Sequence, residues 1–96
     1  MERRKNDRMK KRLSVSIDDK VGIVSNMSSE GMQLIMTALP ANREVYIRFQ
    51  VDDQTFELKG YVRWIRKQLS IYQQYLVGLS ITNATYEYYQ LIKKPV

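Results

Sequence analysis

The sequence predicts a mainly all-β fold: a small six-stranded antiparallel β-barrel with a C-terminal α-helix and a flexible basic N-terminal arm. Three observations predict it. Apolar residues recur with period two along most of the 96-residue chain, the signature of strands with one buried face. Polar pairs such as Asp18-Asp19 and Asp52-Asp53 break the alternation at short intervals, as turns do in barrels and tightly rolled sheets. The net charge of +6 is concentrated at one end, with seven basic and two acidic residues in positions 1–12 against nine and eight in the rest.

Each element follows from its residues. Residues 1–12 carry only Met1 and Met9 as apolar groups. They bury too little to offset their conformational entropy, so they read as an arm that stays mobile until something orders it. Residues 13–82 read as the barrel. Leu13, Val15 and Ile17 alternate with Ser14 and Ser16, and Val21, Ile23 and Ser25 continue the pattern beyond the Asp18-Asp19-Lys20 turn. Met32, Leu34 and Met36 make a third strand, and Val45, Ile47, Phe49 and Val51 a fourth. The fifth places Phe56, Leu58, Gly60, Val62 and Trp64 on one face; after a polar connection, Tyr75, Val77, Leu79 and Ile81 form the sixth. Gly60 and Gly78 inside strands mark bends or close approaches. Residues 83–94 read as a helix with Tyr88, Leu91 and Ile92 on one side, Thr82 or Asn83 as its cap, and Lys93 and Lys94 in its last turn. About three turns are marginal in isolation, so the helix is expected to lie across one barrel opening.

Composition narrows the function. The length fits a single domain. The chain contains neither cysteine nor histidine, which removes disulfides, thiol catalysis, imidazole bases and the commonest transition-metal ligands. The paired carboxylates fall in turns, where adjacent side chains rarely converge on one substrate, and the serines lack a base. No catalytic residue, metal site or cofactor is expected. No apolar run approaches the ~20 residues that span a bilayer, and no apolar segment opens the chain as a leader would. The expectation is a cytoplasmic binding protein without membrane insertion.

Two short patterns remain. Arg4 and Arg8 form Arg-x-x-x-Arg inside the arm, a pattern expected about 0.6 times by chance at this composition. Asn26, Ser28 and Gly31 form Asn-x-Ser-x-x-Gly between the second and third strands, and [Asp/Asn]-x-Ser-x-x-Gly is expected only about 0.03 times. A plain hairpin turn explains the residue types of the second pattern, with Asn26 and Ser28 bonding local backbone and Gly31 supplying a positive φ. It does not explain the coupling to an arginine-rich arm one strand upstream.

Here the sequence resembles the PilZ domain, the bacterial receptor module for the second messenger cyclic di-GMP. Glu2-Arg3-Arg4-Lys5-Asn6-Asp7-Arg8 is similar to the family's opening motif, and Asn26, Ser28 and Gly31 to its second. Gly60-Tyr61-Val62-Arg63-Trp64 and Val77-Gly78-Leu79-Ser80-Ile81 resemble its two later strand motifs. The resemblance implies a non-enzymatic cyclic di-GMP effector that binds through Arg4, Arg8, Asn26, Ser28 and Gly31. By charge and position, Arg3 and Lys5 are expected to add electrostatic attraction and Trp64, near a strand end, to cover part of the ligand. The resemblance implies that Arg3 helps to set whether one or two ligand molecules bind. Trp64 has core packing as its plain alternative. The expected partners are cyclic di-GMP and a downstream protein or fused domain rather than nucleic acid. The second motif departs from the family in carrying Asn26 where Asp is commoner, which removes a carboxylate partner for an arginine and lowers the expected affinity. Two other readings stay open: a basic barrel stacking single-stranded RNA or DNA on Tyr46 and Tyr61, and a PilZ-like scaffold that binds no ligand.

Overall fold

The computed structural model describes residues 13–68 and 73–93. Six strands, β1 (Leu13–Ile17), β2 (Lys20–Met27), β3 (Gly31–Met36), β4 (Glu44–Val51), β5 (Gln54–Gln68) and β6 (Gln74–Ile81), precede one helix, α1 (Tyr86–Lys93). The strands close into a barrel in the order β1-β2-β3-β6-β5-β4, and every pairing is antiparallel. The expected six-stranded barrel with a trailing helix is the fold of the chain.

The acidic pairs make the tight turns the sequence assigns to them. Asp18 and Asp52 open two-residue hairpin loops with φ of 56° and 57°, the left-handed region that matches strand twist and that Asp enters more readily than most residues. Asp18 also helps close the barrel. Its backbone N–H donates to the Tyr46 carbonyl at 2.9 Å and its carboxylate accepts the Tyr46 N–H at 3.0 Å, lengthening a β1–β4 seam of only two paired residues.

Val15, Ile17, Met32, Leu34, Met36, Val45, Ile47, Phe49, Phe56, Leu58, Val62, Val77 and Leu79 fill the interior, as the alternation predicts. Burying each larger side chain stabilises by about 1.5–3 kcal/mol. In β2 the inward face differs from the expectation. Val15 lies opposite Gly22 and Leu13 opposite Val24, so Val21 faces solvent at 64% exposure. The two-residue turn sets the register, and a one-residue change in register exchanges the faces of the whole strand. A bulge between Val24 and Asn26 then shifts the phase again, so Met27 packs on the core.

β5 departs from the sequence reading in two ways. It continues to Gln68 through residues expected to form a polar connection, because β6 pairs with it as far as Gln68↔Gln74. A second bulge, between Val62 and Trp64, places Trp64 opposite Gly78. Gly78 sits between the inward residues Val77 and Leu79, so Trp64 lies on the outer face of the barrel rather than in its core.

The helix begins later than expected and with a different cap. Thr85 accepts the Tyr88 N–H on its hydroxyl at 3.2 Å and the Tyr89 N–H on its carbonyl at 3.1 Å. Thr82 and Asn83 instead prolong sheet pairing: the Thr82 N–H donates to the Lys59 carbonyl at 2.9 Å, and the Asn83 side chain accepts the Lys59 N–H at 2.7 Å. Tyr88, Leu91 and Ile92 face the core as predicted. Tyr88 is completely buried and meets Phe49 edge-on at 6.4 Å, while Phe49 stacks on Phe56 at 5.0 Å. Tyr86 and Tyr89 are exposed, so the three tyrosines of α1 divide between core and surface.

Candidate functional site

The hairpin joining β2 to β3 is ordered by its own residues. The Ser28 N–H donates to the Gly31 carbonyl at 2.9 Å, and the Ser28 hydroxyl accepts the N–H groups of Glu30 at 3.3 Å and Gly31 at 3.2 Å. The hydroxyl thus takes the place of a backbone acceptor, as serine does in tight turns. Glu30 is tied to β6 by the Ile81 N–H, which reaches its carbonyl at 2.9 Å. Gly31 is required for a reason other than the positive φ expected of it, since no described glycine has one. A Cβ at Gly31 would stand 2.5 Å from the Leu79 carbonyl oxygen, so only glycine permits β3 to lie this close to β6.

The two bulges aim side chains at one place. The β2 bulge sets Ser25 and Asn26 on the exposed surface, with the Ser25 hydroxyl donating to the Gln33 carbonyl at 3.2 Å. The β5 bulge brings Arg63 and Trp64 out together. Bulges commonly re-aim side chains in this way at functional sites. The indole rests on Gly78, whose missing Cβ makes the space for it, and the Arg66 guanidinium lies 5.2 Å from the ring centroid, within cation–π range.

Between these elements runs an open groove of about 200 Å³ lined by Asn26, Ser28, Gly31, Arg63 and Trp64. Four sequence-predicted site residues therefore share one surface. Arg63 was not among them. Strict alternation sends residues 63 and 64 to opposite faces, and only the bulge unites them; Gly78 across the strand pair is the one sequence signal of a large neighbour. The predicted contacts Arg3, Arg4, Lys5 and Arg8, and the expected arm, lie outside the described residues. Their point of attachment is described: Leu13 pairs with Val24, two residues from Asn26. Tyr46 and Tyr61, the candidate stacking pair for nucleic acid, lie elsewhere on β4 and β5, and Lys59 covers the Tyr46 ring at 5.7 Å.

Among the described residues, no group of three His, Cys, Asp or Glu side chains converges to hold a metal, and no helix is long and apolar enough to cross a membrane. Burial pushes the Tyr88 phenol well above the usual tyrosine range. It is a neutral donor, and its hydroxyl reaches the Ser28 carbonyl at 2.6 Å.

The fold is a closed six-stranded barrel bearing a loop-built groove on its outer surface. The PilZ domain family model matches residues 2–94, essentially the whole chain, and the chain belongs to that family. No curated protein and no solved structure matches it significantly. PilZ domains are generally cyclic di-GMP-binding domains and typically non-enzymatic.

Proposed function

We propose that this chain is a non-enzymatic receptor for cyclic di-GMP, acting in the bacterial cytoplasm, with the 26–31 groove as one wall of its site and the arm as the other. The observation that carries the reading is the convergence of Asn26, Ser28, Gly31 and Trp64 on one groove beside the strand to which Arg4 and Arg8 are joined.

The chemistry of these groups suits the ligand. Cyclic di-GMP presents two phosphodiesters and two guanines, and each guanine offers O6 and N7 as paired acceptors. Arginine's planar fork takes either a phosphate or a guanine edge bidentately. Asn26 and the Ser28 hydroxyl supply polar contacts, Arg63 adds a third cation, and the half-exposed Trp64 supplies an aromatic surface. A groove of about 200 Å³ falls short of the ~300–1,000 Å³ typical of small-molecule sites. A second wall is needed, and the arm's balance of +5 suits a ligand bearing two negative charges. Closing the arm over the ligand exposes a new surface to a downstream protein or fused domain.

Calorimetry of the full chain against cyclic di-GMP, with cyclic di-AMP and GTP as controls, tests the reading. Because Trp64 is the single tryptophan, its fluorescence should change with the same dissociation constant. Selective binding with a coincident Trp64 signal supports the assignment. No binding, or binding that leaves Trp64 unaffected, overturns it.

A further inference from the structure

The phenol of Tyr88 joins two parts of the molecule that lie sixty residues apart in sequence. Residues that flank a two-residue hairpin loop often exchange two backbone hydrogen bonds. At this hairpin one is made, from the Ser28 N–H to the Gly31 carbonyl. The Gly31 N–H goes to the Ser28 hydroxyl, and the Ser28 carbonyl bonds the Tyr88 hydroxyl at 2.6 Å. The loop conformation therefore depends on a donor from α1. That donor is fixed from both sides: the ring is fully buried against Phe49, and the Thr85 cap holds the Tyr88 backbone.

We propose that Tyr88 is a positioning residue for the ligand loop, its hydroxyl setting the Ser28 carbonyl so that docking of α1 and capture of ligand in the groove are thermodynamically linked. The proposal rests on reading the groove as the cyclic di-GMP site. The coupling is reciprocal, as linkage requires: ligand that orders residues 26–31 tightens α1, and loosening α1 weakens ligand binding by the same factor. The phenol lines no part of the groove, so it acts through the loop alone.

Tyr88→Phe removes the hydroxyl while keeping the ring in the core, and Ile47→Val, a core change in β4 away from the groove, serves as the control for general destabilisation. Two readouts are taken on the full chain: the affinity for cyclic di-GMP, and hydrogen exchange at the Glu30 and Gly31 amides without ligand. Tyr88→Phe should weaken binding about tenfold, the scale of one buried hydrogen bond. It should also speed exchange at Glu30 and Gly31, whereas Ile47→Val changes neither. Thr85→Ala, which uncaps α1 and spares the hydroxyl, should move both readouts the same way by less. Exchange at Glu30 and Gly31 no faster in Tyr88→Phe than in Ile47→Val overturns the proposal, as does wild-type affinity in Tyr88→Phe. If the wild-type chain fails to bind cyclic di-GMP, the receptor reading falls; the exchange comparison still decides whether Tyr88 positions the loop.

Discussion

Two glycines show how differently one residue type serves the groove. Gly31 lies against backbone, where a Cβ would meet the Leu79 carbonyl and no side chain can move aside. Gly31→Ala should destabilise by about 1–3 kcal/mol, with melting falling roughly 4–8 °C per kcal/mol for a domain of this size. Gly78 lies against the Trp64 indole, which is 40% exposed and free to swing outward. Gly78→Ala should therefore cost less stability, shift Trp64 emission to the red and weaken cyclic di-GMP binding. A calorimetric melt and an emission spectrum of each variant check the contrast. Asn26, Ser28 and Gly31 are legible in the sequence because their spacing is rare and local. Arg63 is not, because its direction depends on a bulge that forms only against β6.

At the scale of elements, the proposed receptor reading divides the work of binding between the arm and the barrel. Residues 1–12 hold only Met1 and Met9 as apolar groups and are expected to add little to folding, so Arg4→Ala and Arg8→Ala should leave the melting temperature of the free protein nearly unchanged. Each should weaken cyclic di-GMP binding about ten- to hundredfold, from charge-assisted bonds worth roughly 1.5–3 kcal/mol. Arg12→Ala is the charge-matched comparison and should matter less; unchanged affinity in both motif variants would sink the assignment. Ordering even five backbone residues costs on the order of 5–10 kcal/mol, so affinity should be moderate for the number of contacts. Hydrogen exchange should show ligand-dependent protection at residues 4–10 and 26–31. The strands themselves are legible from alternation, but their faces and lengths are less so. β2 presents Val21 to solvent because register with β1 overrides its apparent pattern, and β5 extends because β6 supplies the missing partner.

For the molecule as a whole, charge and burial set the response to solution conditions. Outside the arm the chain is nearly neutral. A two-phosphate ligand should therefore show a shallow salt dependence, whereas a protein tracking single strands loses affinity with a log–log slope near −0.7 per phosphate contact. Titration from low to moderate salt separates the two. Tyr88 should contribute to the alkaline limit. Desolvation raises its pKa in the folded state, so its contribution is complete below about pH 10, where an unfolded tyrosine titrates. As pH rises beyond that point the unfolded state ionises first, and the contribution is lost. Denaturation of wild type and Tyr88→Phe across pH 9–11 should show a steeper alkaline loss in wild type; parallel curves would contradict the assignment.

Strand number, the turn role of both aspartate pairs, the buried side of the helix and the turn at Ser28–Gly31 are all readable from residues alone, although Asn26, read as part of that turn, lies in β2. Each depends on local periodicity, turn chemistry or a rare spacing, and these act within a few residues. Tertiary structure decided the rest. Pairing across the barrel turned Val21 outward, moved the helix cap from Thr82 or Asn83 to Thr85, and carried Trp64 out of the core to stand beside Arg63. It also placed the Tyr88 hydroxyl on the Ser28 carbonyl. Register, bulges and buried hydrogen bonds are properties of two segments at once, and neither segment encodes them without the other.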